Sequence, residues 1–328
     1  MVFLVHFGIF NEFCIVEGLR WCLDGEIRNH KTNEHNMKLN GRRESTNVDD
    51  RRRSGGKKAG IGGGIGAIII AAIFAFIQSG GDLSSVVQTV GSQVVNNMIV
   101  GPDGAEHEPT AEEDSLAHFS KQIFASTEDV WSDILKQMGK QYEMPRLVLY
   151  TGSVMSACGN GSAAMGPFYC SGDQCVYLDL SFFQTMRKQL GAGGEFANAY
   201  VIAHEVGHHI QQQLGILDDA HAQMARSSES ESNKISVRLE LQADFFAGVW
   251  GHYENAKYNS VSDKEIEEAI KCAHNIGDNY LQKQSQGYVV PENFTHGTSE
   301  QRMRWFKLGL TTGDIRLGDT FSKSEAEL

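Results

Sequence analysis

Leu116, Phe119, Ile123 and Phe124 recur at helical spacing and predict a helix that opens the globular region near Ser115. Thr127 stands where the N-cap of a second helix is expected, one that runs through Trp131, Ile134 and Leu135 to Gly139. Two short stretches then read as strands, RLVLYT from Arg146 to Thr151 and CVYLDL from Cys175 to Leu180. The second alternates Val176, Leu178 and Leu180 on one face with Tyr177 and Asp179 on the other. Long helices follow from about Glu195 to Leu214, stopped by Gly215, and from about Ser232 to Tyr253. Ser262 and Thr298 open two more, because Glu265 and Gln301 stand three residues on in the reciprocal position of a capping box. Short strands with long helices make an α+β domain.

Residues 60–78 break this pattern. The run GIGGGIGAIIIAAIFAFI carries no charge and is close to the ~20 residues that a helix needs to cross a hydrocarbon core. Arg51, Arg52, Arg53, Lys57 and Lys58 precede it, whereas Gly80, Gly81 and Asp82 follow it. Basic residues stay on the cytoplasmic side, so the expectation is a single N-terminal transmembrane helix with everything after it exported. On this reading residues 37–59 are a short cytoplasmic basic segment, 60–78 the transmembrane helix in contact with membrane lipid, 79–114 a polar and then acidic linker, and 115–328 the domain. Residues 1–36 lack a basic n-region and a small-residue cleavage site. They read as an upstream extension, with Met37 the expected native start.

Charge sharpens the division. The net charge is -12, yet up to Lys58 there are 11 Lys and Arg against 8 Asp and Glu, and after it 18 against 33. An acidic body offers no face for phosphate, so a nucleic-acid partner is not expected. Few prolines (5) beside 35 glycines also argue against a Pro-rich disordered chain.

Candidate chemistry concentrates in the first long helix, VIAHEVGHHIQQQL. His204 and His208 are four apart and share a helix face, so both imidazoles can reach one ion. Glu205 lies one step round, where its carboxylate can take a proton from metal-activated water. Zinc suits two neutral imidazoles and lowers the pKa of its water toward neutrality. Gly207 leaves room for close packing beside the metal. His209 points about 100° away on the helix and does not join the set, and Gln211 to Gln213 are poor zinc ligands. Catalytic zinc usually has three protein ligands. In SVRLELQADFFAGVWGHY, Glu240 and Asp244 stand one turn apart among strongly apolar neighbours. Carboxylates are rarely buried without a partner. Glu240 as third ligand and Asp244 as acceptor for an imidazole N–H explain both; the alternative is Glu240 paired with Arg238 or Lys234 on a solvated stripe.

HEVGHHIQ followed by VRLELQAD-x-x-AGVW resembles a bacterial, membrane-anchored family, the putative neutral zinc metallopeptidases. GRRESTNVDDR, ACGNGSAAMGPFYC…VYLDLSFF and FTHGTSEQRMRWF resemble it too, so the likeness runs from about Met37 to Gly309. Phe245, Phe246 and Cys175 depart from the family pattern without touching the metal set. The resemblance implies a zincin-like fold of a small sheet plus long helices, one catalytic Zn2+, and ligand roles for His204, His208 and Glu240. A peptide or protein substrate, cut by zinc-activated water with Glu205 as general base, follows from the same likeness. So does a place in the bacterial inner membrane, with the domain facing the periplasm or exterior. The rival is a non-catalytic zincin-fold binding or interaction protein, against which the intact Glu205 argues.

In zincins the substrate lies as an extra strand against a sheet edge, and Val176 to Leu180 is the expected edge here. His296, in the turn before the last helix, and Tyr177 are candidate oxyanion donors. Cys158 and Cys170 flank a Gly/Ser loop, and a disulfide between them would stiffen the approach to the strand at Val176. The cysteines contain no CxxC pair, so a second zinc site is not expected.

Overall fold

Side chains alternate between the two faces of a strand, and in the two five-residue strands, RLVLY and CVYLD, both faces are buried apart from Arg146. The structure, a computed structural model, describes residues 37–53 and 107–328. Its strands are β1 (Val48–Asp50), β2 (Arg146–Tyr150), β3 (Ser153–Ser156), β4 (Gly159–Ser162), β5 (Phe168–Cys170) and β6 (Cys175–Asp179). Four of them form one sheet in the order β1-β2-β6-β5, while β3 and β4 pair as a separate antiparallel hairpin. β1, β2 and β6 are parallel, with Leu147 opposite Val176 and Leu149 opposite Leu178, and β5 runs antiparallel to β6. Leu147, Leu149, Val176 and Leu178 face the main core. Val148, Tyr150 and Tyr177 face a smaller core closed by Val154 and Phe168.

Eight α-helices are seen among the described residues: α1 (Ala111–Gln137), α2 (Ser181–Gln189), α3 (Glu195–Gln213), α4 (Ile216–Met224), α5 (Glu229–Tyr258), α6 (Asp263–Asn275), α7 (Asp278–Gln286) and α8 (Ser299–Thr312). The capping boxes Ser262 with Glu265 and Thr298 with Gln301 both form. Gly215 ends α3 as expected, with φ 79°. α3 and α5 pack side by side through Gly207, where a Cβ would come within 2.9 Å of the Ala243 carbonyl oxygen.

Three expectations need correction. α1 is one 27-residue helix and not two. Its N-cap is Thr110, reciprocated by Glu113, and the Thr127 hydroxyl instead donates back to the Phe124 carbonyl (2.7 Å) inside the helix. The strand at Val176 is not an edge, because β6 lies between β2 and β5; the edge beside it is β5. Residues 37–53 are not set apart from the domain. β1 is hydrogen-bonded to β2, Met37 and Leu39 enter the main core, and Arg42 clasps the buried Glu254 carboxylate with two bonds of 2.9 and 2.8 Å. The expected upstream extension, the transmembrane helix at 60–78 and most of the linker lie outside the described residues. No described helix is long and apolar enough to cross a membrane.

Candidate metal centre

Helical spacing on two adjacent helices builds the site. His204 and His208 stand one turn apart on α3, with ring centroids 4.9 Å apart. Glu240 faces them from α5: its Oε2 is 3.1 Å from His204 Nε2 and its Oε1 is 3.4 Å from His208 Nε2. One ligand atom from each of the three lies within 4.8 Å of the others. Arg238 and Lys234 do not compete for Glu240. Arg238 donates to the carbonyls of Thr320 and Lys323, and Lys234 pairs with Glu231 and Glu325.

The far nitrogens decide which lone pairs are free. His204 donates from Nδ1 to Asp244 Oδ1 (2.8 Å), which leaves Nε2 as the metal-facing atom. Asp244 is fully buried and also accepts from the Tyr200 hydroxyl (2.5 Å) and from Arg302 Nε and Nη2 (2.8 and 2.9 Å). Burial opposes its charge, but Arg302 and His204 hold it at about 2. His208 has a different support. Gln211 Nε2 donates to the Leu239 carbonyl (2.7 Å), which fixes its amide orientation and turns Oε1 toward His208 Nδ1 (2.9 Å). His208 Nδ1 therefore carries the hydrogen and Nε2 again faces Glu240.

Two imidazole lone pairs and a carboxylate oxygen, each backed by a partner, fit the donor set that zinc takes. The charges agree. Burial would raise the Glu240 carboxyl, yet the imidazoles of His208, His296 and His204 hold it well below the ordinary range. Burial would lower His204, but Asp244 and then Glu240 raise it to about 10, so a metal arriving here displaces a proton. Glu205 is buried beside the set and burial pushes its carboxyl up, against the pull of His204 and His208.

All four residues line one cavity of about 500 Å³. Its walls include Cys158 in the hairpin turn and Gly159 to Gly161 of β4, Phe168 and Tyr169 of β5, and Leu217, Met224 and Leu239 from the helices. Cys158 and Cys170 are joined as a disulfide that ties the hairpin to β5. Cys175 stays free and buried, its thiol pushed up to about 11 by burial.

His296 lines the cavity, on a turn whose backbone N–H groups at Thr295, His296 and Gly297 all donate to Asp278 Oδ2 (2.8, 2.7 and 3.1 Å). Tyr177 does not reach the cavity. It lies on the sheet face turned away from α3, stacked on Phe168, and its hydroxyl donates to Asp173 Oδ2 (2.8 Å). Sequence reasoning also passed over Arg302 and Gln211, the groups that hold Asp244 and His208. Gln211 sits within the helix motif, three residues after His208, and that spacing was the available signal. Arg302 is 58 residues from Asp244 and gave none.

The model of a family described as "Putative neutral zinc metallopeptidase" matches residues 37–321. The chain is 44% identical over 297 residues to the uncharacterized protein YpfJ of Escherichia coli strain K12, covering 88% of this chain and all of that one. It is 41% identical over 210 residues to the uncharacterized protein Rv2575 of Mycobacterium tuberculosis, covering 61% of this chain and 69% of that one. No solved structure matches.

Proposed function

The chain belongs to the neutral zinc metallopeptidase family, and from that membership we propose that it hydrolyses peptide bonds at the centre formed by His204, His208 and Glu240, with Glu205 as general base. One observation carries the reading. Both Nε2 atoms and the Glu240 carboxylate converge at 3.1 and 3.4 Å, while buried Glu205 opens onto the same cavity. A zinc ion bound there supplies Lewis acidity toward water and toward the peptide carbonyl.

The chain's own groups do the rest. Glu205 takes a proton from the attacking water and returns it to the leaving amine nitrogen, two transfers that a raised carboxyl pKa serves. Asp244 and Gln211 keep the lone pairs of His204 and His208 aimed at the centre. Burial opposes charge on the His296 imidazole, but Glu240 and Asp278 raise its pKa, which favours the ring that carries hydrogens on both nitrogens. With Nδ1 beside Asp278 and Thr295, its Nε2 hydrogen can then donate toward a carbonyl oxygen as charge grows on it. An extended peptide lies along the open edge of β5, whose residues Phe168 and Tyr169 line the cavity.

Metal removal tests this. A chelator should abolish cleavage of a mixed peptide library, and one equivalent of Zn2+ per chain should restore it. Cleavage that continues in metal-free protein would contradict the proposal.

A further inference from the structure

His209 directly follows the ligand His208, yet its imidazole turns away from the metal group and is fully buried. Its Nε2 lies 2.6 Å from the Glu143 carbonyl oxygen in the segment before β2. A carbonyl only accepts, so Nε2 carries the hydrogen and Nδ1 is left with its lone pair. The Tyr169 hydroxyl, 3.0 Å from Nδ1, is therefore the donor in that bond. The rings of Tyr142 and Tyr169 both meet the imidazole edge-on, with centroids 5.8 and 5.5 Å away. Both ring nitrogens of His209 are thus spent on fastening other elements to α3.

Tyr169 is the middle residue of β5, the three-residue edge strand beside the metal group. On its inner side β5 is held by β6, and Cys170 ties it to the hairpin. Neither of those restraints relates the strand to the helix that carries His204, Glu205 and His208. The Tyr169 to His209 bond does so, from the residue next to a ligand. A peptide laid on β5 takes its position from that strand, whereas the groups that act on it take theirs from α3. The gap between strand and helix decides whether the scissile carbonyl meets Glu205 and the metal group, and misplacement by ~1 Å costs on the order of a hundredfold in rate.

We propose that His209 is a positioning residue for extended peptide substrates, fixing the distance between the edge strand β5 and the catalytic helix α3 through its bond from Tyr169. The inference rests on the peptidase reading above. It adds that the substrate is an extended peptide long enough to pair with β5, and that alignment of such a substrate passes through this imidazole.

Two variants break the tie at its two ends. Tyr169→Phe removes one oxygen and leaves the ring packing, and His209→Gln keeps an amide able to donate to the Glu143 carbonyl. The readout is the ratio of kcat/KM for a peptide of about eight residues to that for a blocked dipeptide too short to lie along β5. Both variants should lower that ratio by about tenfold or more, through kcat more than KM, with zinc content at the wild-type level. The double variant should be no worse than the more affected single one, since both remove the same bond. Hydrogen exchange gives a reading independent of catalysis: amides of β5 should exchange faster in both variants while those of β2 do not change. An unchanged ratio, or unchanged exchange at β5, would overturn the role of His209. Failure of the peptidase reading itself would show separately, as zinc-loaded wild-type protein that cuts neither substrate, and the exchange measurement would still decide the tie.

Discussion

Asp244 shows how much one side chain can be asked to do. It is fully buried and ionised, it orients His204, and it takes a two-point clasp from Arg302. Removing a direct metal ligand and removing the group behind it should therefore differ in kind. Glu240→Ala should lose zinc, whereas Asp244→Asn should keep it with affinity lowered roughly 10–100-fold; competition against a chelator of known affinity measures both, and equal affinities for Asp244→Asn and wild type would contradict the arrangement. Arg302→Ala should cost about 3–5 kcal/mol in unfolding free energy, because it strands a buried carboxylate. Glu240 and Asp244 were readable from the sequence because carboxylates amid Leu241, Phe245 and Phe246 demand partners. Arg302 was not, since in SEQRMRWF it looks like any helix arginine until folding brings α8 across α5.

Helices and strands were read well wherever the cue was local. The capping boxes and the stop at Gly215 depend on neighbours in sequence, and they hold. Thr127 has the right residue type for a cap, but continuous burial from Ile123 through Glu128 carries α1 straight through it. The sheet edge could not be read, because strand order is set by pairing between distant segments. A close helix crossing was equally hidden. α5 and α8 meet backbone to backbone, where a Cβ on Gly309 would lie 2.1 Å from the Phe245 oxygen and one on Gly248 would lie 2.2 Å from the Phe306 oxygen. Neither clash can be relieved by a side-chain rotation. Gly309→Ala should push apart the helices that bring Arg302 to Asp244 and lower stability by about 1–3 kcal/mol. Thermal unfolding of the zinc-loaded protein checks this, and an unchanged midpoint would show that the contact carries no cost.

Taken whole, the described chain is one body that includes residues on both sides of the apolar run at 60–78. β1 pairs with β2, Arg52 lies 3.1 Å from Asp114, and Arg53 lies 3.7 Å from Glu108, so the described residues on either side of the segment 54–106 are neighbours. A single membrane crossing within it would put the two partners of a β-ladder on opposite sides of a bilayer. Thr46 and Glu300, both exposed, should therefore share a side. Disulfides persist in oxidising compartments, and from the Cys158 to Cys170 bond we propose that this shared side faces one. Thr46→Cys and Glu300→Cys, each in a chain lacking Cys14 and Cys22, should accordingly both react with an impermeant maleimide in intact cells. Labelling of one without the other would contradict the single body.

For the protein as a whole, the direct test of a zinc peptidase is to separate holding the metal from using it. The purified chain and its Glu205→Gln variant are compared for bound zinc and for cleavage of a peptide library under the same conditions. His204, His208 and Glu240 are intact in both, so each should hold about one zinc per chain, while cleavage should fall by at least about a hundredfold in the variant because the base is gone. A zinc-replete Glu205→Gln protein that cuts peptides at the wild-type rate would contradict the account.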